Sequence, residues 1–129
     1  MSGATGRRRE EAMNVKYALL IYQQEGGWEG LSDDEQKAIY QQHADFGAWL
    51  DERGWARGGE ELAATSSATS VRLENGRTVT TDGPFAETKE QLGGFYLIEC
   101  DNLDQAIEAA SRIPAGDRGT IEVRPVVEH

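Results

Sequence analysis

VKYALLIY, Val15 to Tyr22, is apolar at every position except Lys16. Both alternating faces of an extended segment with this composition avoid water, which is the pattern of a central strand covered on two sides. The stretch therefore predicts helices on one face of a sheet and a second layer on the other. Downstream, QQEGGWEGL is a glycine-rich loop carrying Trp28, a lid or a loop anchor, and Ser32 then opens SDDE, in which Ser32 and Glu35 have capping-box spacing. A helix is predicted from there to about Arg53, with Gly54 as its stop. At about 100° per residue, Ile39, His43, Phe46 and Leu50 fall within roughly 60° of one another. His43 thus belongs to the buried stripe, and Tyr40 and Trp49 widen it.

Further along, WARGGEEL (Trp55 to Leu62) is a strand candidate. In ATSVRLENGRTVTT, Asn75 and Gly76 separate two alternating segments, the strongest short-range hairpin signal, because a type I′ turn needs positive φ at both central residues. FYLIEC (Phe95 to Cys100) is a second apolar strand. Leu103, Ala106, Ile107, Ala110 and Ile113 then repeat with helical spacing, capped by Asp101 or Asn102 and ended by Pro114. In the last strand, TIEVRPVV, Pro125 has no amide to donate, which assigns the strand to an edge. Without the hairpin the order is βαββαβ. That is a ferredoxin-like α+β fold with an inserted β-hairpin, an antiparallel sheet with two helices on one face. The other face keeps the apolar side chains of the first strand, so a homodimer is expected to cover it.

A chain of 129 residues fits one domain around one core. Residues 1–13, with Arg7, Arg8 and Arg9 before Glu10 and Glu11, lack apolar periodicity and read as a flexible tail, leaving 14–129 as the domain. The formal charge of −10 repels phosphate backbones and anionic headgroups, so no direct nucleic-acid or membrane partner is expected. No apolar run has the length of a span or of a signal-peptide core, and a cytoplasmic location follows by default. Cys100 is the only cysteine and His43 and His129 the only histidines, so no disulfide and no Cys/His zinc pattern exists. No metal or other cofactor is expected. Cys100, at the end of an apolar run, reads as a small buried thiol.

The stretch TDGPFAETKEQLGGFYLIE, Thr81 to Glu99, resembles the DGPF signature of the YCII-related family, and the opening strand followed by a histidine-bearing helix is similar to that family's start. The resemblance covers about Val15 to Val127. It implies a ferredoxin-like domain forming a dimeric α+β barrel, with a pocket where a helix histidine approaches the aspartate of the DG motif. The matching positions here are His43 and Asp82. It also implies acid-base enzymatic activity, and a link to extracytoplasmic-function sigma factors.

Read without the family, His43 fits a neutral core histidine at least as well as a catalyst. Asp82 fits a turn opener bonded to backbone amides, or a carboxylate that fixes the imidazole tautomer and leaves its other nitrogen for proton transfer. Phe85 fills the core or lines the pocket wall. Lys89 is the best nearby cation for holding an anionic group of a substrate, although the run Glu87, Lys89, Glu90 equally reads as a solvated face. Tyr17 and Tyr22 point to opposite faces of the first strand, and Tyr17 is taken as the pocket residue. Two functions follow. One is a cofactor-independent acid-base enzyme that isomerises a small molecule or catalyses an elimination, with His43 and Asp82 catalytic and Tyr17, Phe85 and Lys89 binding substrate. The alternative is a non-catalytic dimeric module that binds a small ligand or a regulatory protein, with His43 and Asp82 as a structural bond.

Overall fold

Val15–Gln23 forms β1, an inner strand, in a computed structural model that describes residues 14–115 and 119–129. The tail expected over residues 1–13 lies outside the described residues. Ser32 caps α1 (Asp33–Arg53) through the full box: its hydroxyl accepts from the Glu35 amide at 3.1 Å, and the Glu35 carboxylate accepts from the Ser32 amide at 3.0 Å. Three acidic residues in the first turn add favourable charge at the positive end of the helix dipole. After Gly54 come β2 (Ala56–Glu61), a single 3₁₀ turn (Thr65–Ser67), β3 (Thr69–Glu74) and β4 (Arg77–Asp82). The chain ends with β5 (Gln91–Cys100), α2 (Leu103–Ser111) capped by Asn102, and β6 (Gly119–Pro125).

The main sheet has the order β2-β5-β1-β6, with every neighbouring pair antiparallel. β5 is inserted between β1 and β2, as a split βαβ unit requires, and β6 lies at the edge, where Pro125 is tolerated. The architecture is the ferredoxin-like α+β arrangement with two helices on one face. Tyr17, Leu19 and Ile21 of β1 point toward the helices and pack with Ile98 and Cys100 of β5, Phe46 and Leu50 of α1, and Ala106 and Ala109 of α2. Burying a side chain such as Leu50 or Ile98 contributes about 1.5–3 kcal/mol.

On the opposite face Ala18 and Leu20 of β1 pair with Leu97 and Phe95 of β5, all four half-buried. Ion pairs flank this apolar strip. Arg57 lies 3.7 Å from Glu99 on one side, and Arg124 lies 3.0 Å from Glu122 on the other, where the Tyr22 hydroxyl also donates to Glu122 at 3.3 Å. No helix among the described residues is long and apolar enough to cross a membrane.

β3 and β4 form a separate two-stranded ribbon. Its turn is built as the Asn-Gly pair predicts, with φ of 53° at Asn75 and 80° at Gly76. At its base the Gly83 amide donates to the Ala68 carbonyl and the Ser70 hydroxyl donates to the Gly83 carbonyl, each at 2.7 Å. Leu73, opposite Thr78, is 76% exposed.

Candidate functional site

His43 stands toward the N-terminal end of the apolar stripe of α1, half-buried, where the helix meets β5. Its Nδ1 lies 2.6 Å from the hydroxyl of Tyr96, and the two rings are nearly parallel at 15°. Tyr96 shares the helix-facing side of β5 with Ile98 and Cys100, so strand alternation aims it at α1. A chain of rings holds it there. Phe46 meets Tyr96 edge-on with centroids 4.9 Å apart, Trp49 packs on Phe46 at 6.1 Å, and Trp55 meets Trp49 edge-on at 5.6 Å. The guanidinium carbons of Arg53 and Arg112 lie 3.8 and 4.5 Å from the Trp49 ring centre, where cation–π attraction adds to the packing.

Gly59 makes this placement sterically accessible. It pairs with Tyr96 across β2 and β5, has φ of 154°, and a Cβ added there would lie 2.6 Å from the Phe95 carbonyl oxygen and 3.2 Å from the Tyr96 Cα. No real side chain tolerates such contacts without a shift of backbone. Gly59 of WARGGEEL thus serves the approach of β2 to the strand that bears Tyr96.

Burial holds the His43 imidazole below its ordinary pKa, against an opposing pull from the Glu61 carboxylate. Burial also raises the Tyr96 hydroxyl, and Glu61 raises it further. At neutral pH the imidazole is therefore uncharged and the phenol keeps its proton. One hydrogen bond joins Nδ1 and the phenol oxygen, its direction set by the imidazole tautomer. The pair is a short hydrogen-bonded link between an imidazole and a phenol.

A cavity of ≈ 660 Å³ opens beside His43, with Gln23, Trp28, Tyr40, Glu61 and Gln91 among its walls. A smaller one of ≈ 280 Å³ adjoins it and reaches Tyr96. The glycine-rich loop after β1 forms the outer wall and is tied at several points. Trp28 meets Tyr40 edge-on at 5.2 Å, the Gln36 side-chain amide donates to the Trp28 carbonyl at 3.0 Å, and the Glu25 carboxylate accepts from both the hydroxyl and the amide of Thr65. Those bonds hold Glu25 below the usual carboxylate range. In this geometry Trp28 anchors the loop and lines the cavity at once.

The five residues singled out from sequence are dispersed. His43 is at the cavity. Asp82 ends β4 and is exposed; among the described residues no hydrogen bond or ion pair joins it to His43, and it lines neither of the two cavities beside His43. Phe85 is 81% exposed. Lys89 lines a neighbouring cavity of ≈ 480 Å³ with Glu87 and Gly83, and that cavity shares Glu25 and Gln91 with the one at His43. Tyr17 is 6% exposed in the core, facing the helices opposite Ile98, and its burial pushes the hydroxyl pKa up. Cys100 is buried and its thiol is likewise raised by burial, consistent with packing rather than reactivity.

Tyr96 and Glu61 carry no mark in the sequence pattern, and Tyr40 was expected only to widen the apolar stripe of the helix. The alternation of FYLIEC places Tyr96 on the same face as Ile98 and Cys100, which was its one available signal. Nothing local distinguishes Glu61 from the other carboxylates of an acidic chain. Among the described residues, no three His, Cys, Asp or Glu side chains converge as metal ligands.

Two comparisons place the chain among known proteins. The family model for the YCII-related domain matches residues 15–129. A protein of Rhizobium meliloti (strain 1021), itself uncharacterized, is 37% identical over 112 residues, which span 85% of this chain and 90% of that relative. A match running from the first residue of β1 to the C-terminus, over a ferredoxin-like sheet of the expected order, shows that the chain belongs to the YCII-related family.

Proposed function

We propose that the protein is a cofactor-independent acid-base enzyme acting on a small carbonyl-bearing or aromatic molecule, by proton transfer that leads to isomerisation or elimination. His43 accepts or delivers the proton, and Tyr96 takes the partner role expected of Asp82. The observation that carries this reading is the 2.6 Å contact between His43 Nδ1 and the Tyr96 hydroxyl beside a cavity of ≈ 660 Å³. A neutral imidazole backed by a phenol is suited to general base catalysis near neutral pH, an effect of roughly 10²- to 10⁴-fold.

The test is turnover of a substrate found by screening small carbonyl compounds. His43→Ala should reduce kcat by about 10²-fold or more. Tyr96→Phe should shift the pH profile and reduce kcat less, and Asp82→Asn should leave kcat within a few fold. Full activity in His43→Ala would reject the reading. A regulatory reading, with the sigma-factor link that the family resemblance implies, draws support from the exposed Val71 and Leu73 of the hairpin, which offer an apolar ribbon face to a partner. In that case His43→Ala would lower stability with no turnover to lose.

The half-buried strip of Ala18, Leu20, Phe95 and Leu97 supports a homodimer in which a second copy covers this face. The flanking pairs Arg57–Glu99 and Arg124–Glu122 offer both signs of charge to a two-fold partner. Sedimentation at micromolar concentration should give twice the chain mass, and Leu20→Glu should give the single-chain mass.

A further inference from the structure

We propose that Glu61 is the specificity-determining residue of the His43 cavity, and that the ligand it selects carries a protonated amine or another organic cation. The proposal deepens the acid-base reading and rests on it only for the location of the reacting group.

Glu61 is the last residue of β2, in register with Gly94 of β5. It lines both cavities that meet at His43. Its Oε1 lies 3.5 Å from the Tyr40 hydroxyl, a long contact that keeps the carboxylate turned toward α1. The neighbouring wall is aromatic. Trp28 and Tyr40 form an edge-to-face corner, and the electron-rich faces of such rings attract cations. A carboxylate next to an aromatic corner is the chemistry that recognises ammonium groups.

The remaining charges of the walls have the same sign. Glu25 and Glu29 come from the glycine-rich loop and Glu60 from β2, and among the described residues neither cavity is lined by Lys or Arg. Glu25 is already committed to Thr65, which leaves Glu61 as the carboxylate closest in role to the His43–Tyr96 pair. Lys89, the cation expected from sequence to hold an anionic group, lines the neighbouring cavity, which shares Glu25 and Gln91 with the larger one, and does not line the walls at His43. A carboxylate or phosphate entering beside His43 would face repulsion with no compensating cation among the described residues. A cation would cancel part of the Glu61 field and keep the imidazole in its neutral, proton-accepting form.

Three probes of nearly equal size separate the charge states: benzylamine, benzyl alcohol and benzoate, titrated at neutral pH into the full chain while the ring resonances of His43 and Trp28 are followed. Benzylammonium should bind at least fivefold more tightly than benzyl alcohol, and benzoate should leave the resonances unmoved. Glu61→Gln should weaken benzylammonium by about fivefold, the scale of one solvent-screened ion pair, and bring it level with the alcohol. The proposal is overturned by benzoate binding as well as the amine, by unchanged amine affinity in a folded Glu61→Gln, or by none of the three probes reaching the cavity. Turnover does not enter these measurements, so failure of the acid-base reading would leave the three affinities as they stand. His43→Ala should likewise retain amine binding while losing proton transfer.

Discussion

The turn after β4 and the walls of the cavity under α1 were written into the chain in different ways. The turn is a continuous string, and its hydrogen bonds, Gly83 to Ala68 and Ser70 to Gly83, are short backbone-centred links that set the path of the chain. Its large side chain, Phe85, points into solvent. The cavity is assembled from loops, a helix and three strands, and its central contact joins residues 53 positions apart. A conspicuous local string reports a backbone shape that needs specific residues in sequence. A cavity needs specific residues in space, and their spacing in the chain is irrelevant to the chemistry.

The largest expected difference between ribbon and core is in stability. Leu50→Ala removes a side chain that is 2% exposed and should cost about 2–5 kcal/mol, whereas Leu73→Ser on the ribbon should change stability by about 0.5 kcal/mol or less, both read from urea unfolding. Equal losses would mean that the ribbon is packed as tightly as the core, as it would be against another chain. Next in size is Gly59→Ala, which forces a methyl group against the Phe95 carbonyl in a backbone conformation unfavourable to alanine, at about 1–3 kcal/mol. Because β2 must move away from β5, the contact between His43 and Tyr96 should weaken too, visible as a change in the His43 titration. A Gly59→Ala variant with both unchanged would show that β2 does not position the His43–Tyr96 pair.

The smallest effect is a pH slope. The folded-state pKa of His43 is depressed, mainly by burial, so the unfolded chain binds the additional proton more readily. The contribution is fully present above the ordinary histidine value near 6.5 and is lost as pH falls through it toward the lower folded value. Going from about pH 7.5 to about pH 5.5, wild type should lose more stability than His43→Gln, the difference isolating this residue from the carboxylates. Parallel slopes would place the imidazole in a water-like environment and remove the basis for its neutral form.

Much of the fold was legible because it depends on neighbours in sequence. The Ser32–Glu35 box, the Asn75-Gly76 turn, the Asn102 cap and the edge position of Pro125 each follow from the needs of nearby backbone groups. The two-sided character of VKYALLIY correctly required an apolar strip opposite the helices. Of the site, helical periodicity found His43 and ranked it with the buried stripe, although it lies at the edge of that stripe. Tyr17 lines neither cavity beside His43. It faces the helices, but β1 buries it among Ile98 and Cys100 of the core.

By itself the sequence determined an acidic α+β chain, the order of its elements, and a histidine on the inner face of its first helix. These are consequences of periodicity, capping and turn geometry, which act over a few residues. Only the tertiary structure decided what His43 touches, because the insertion of β5 between β1 and β2 brings Tyr96 and Glu61 beneath α1 while the hairpin carries Asp82 away on a separate ribbon. Strand order is set by long-range pairing, and no local pattern in the chain records which carboxylate or phenol that pairing will deliver to an imidazole.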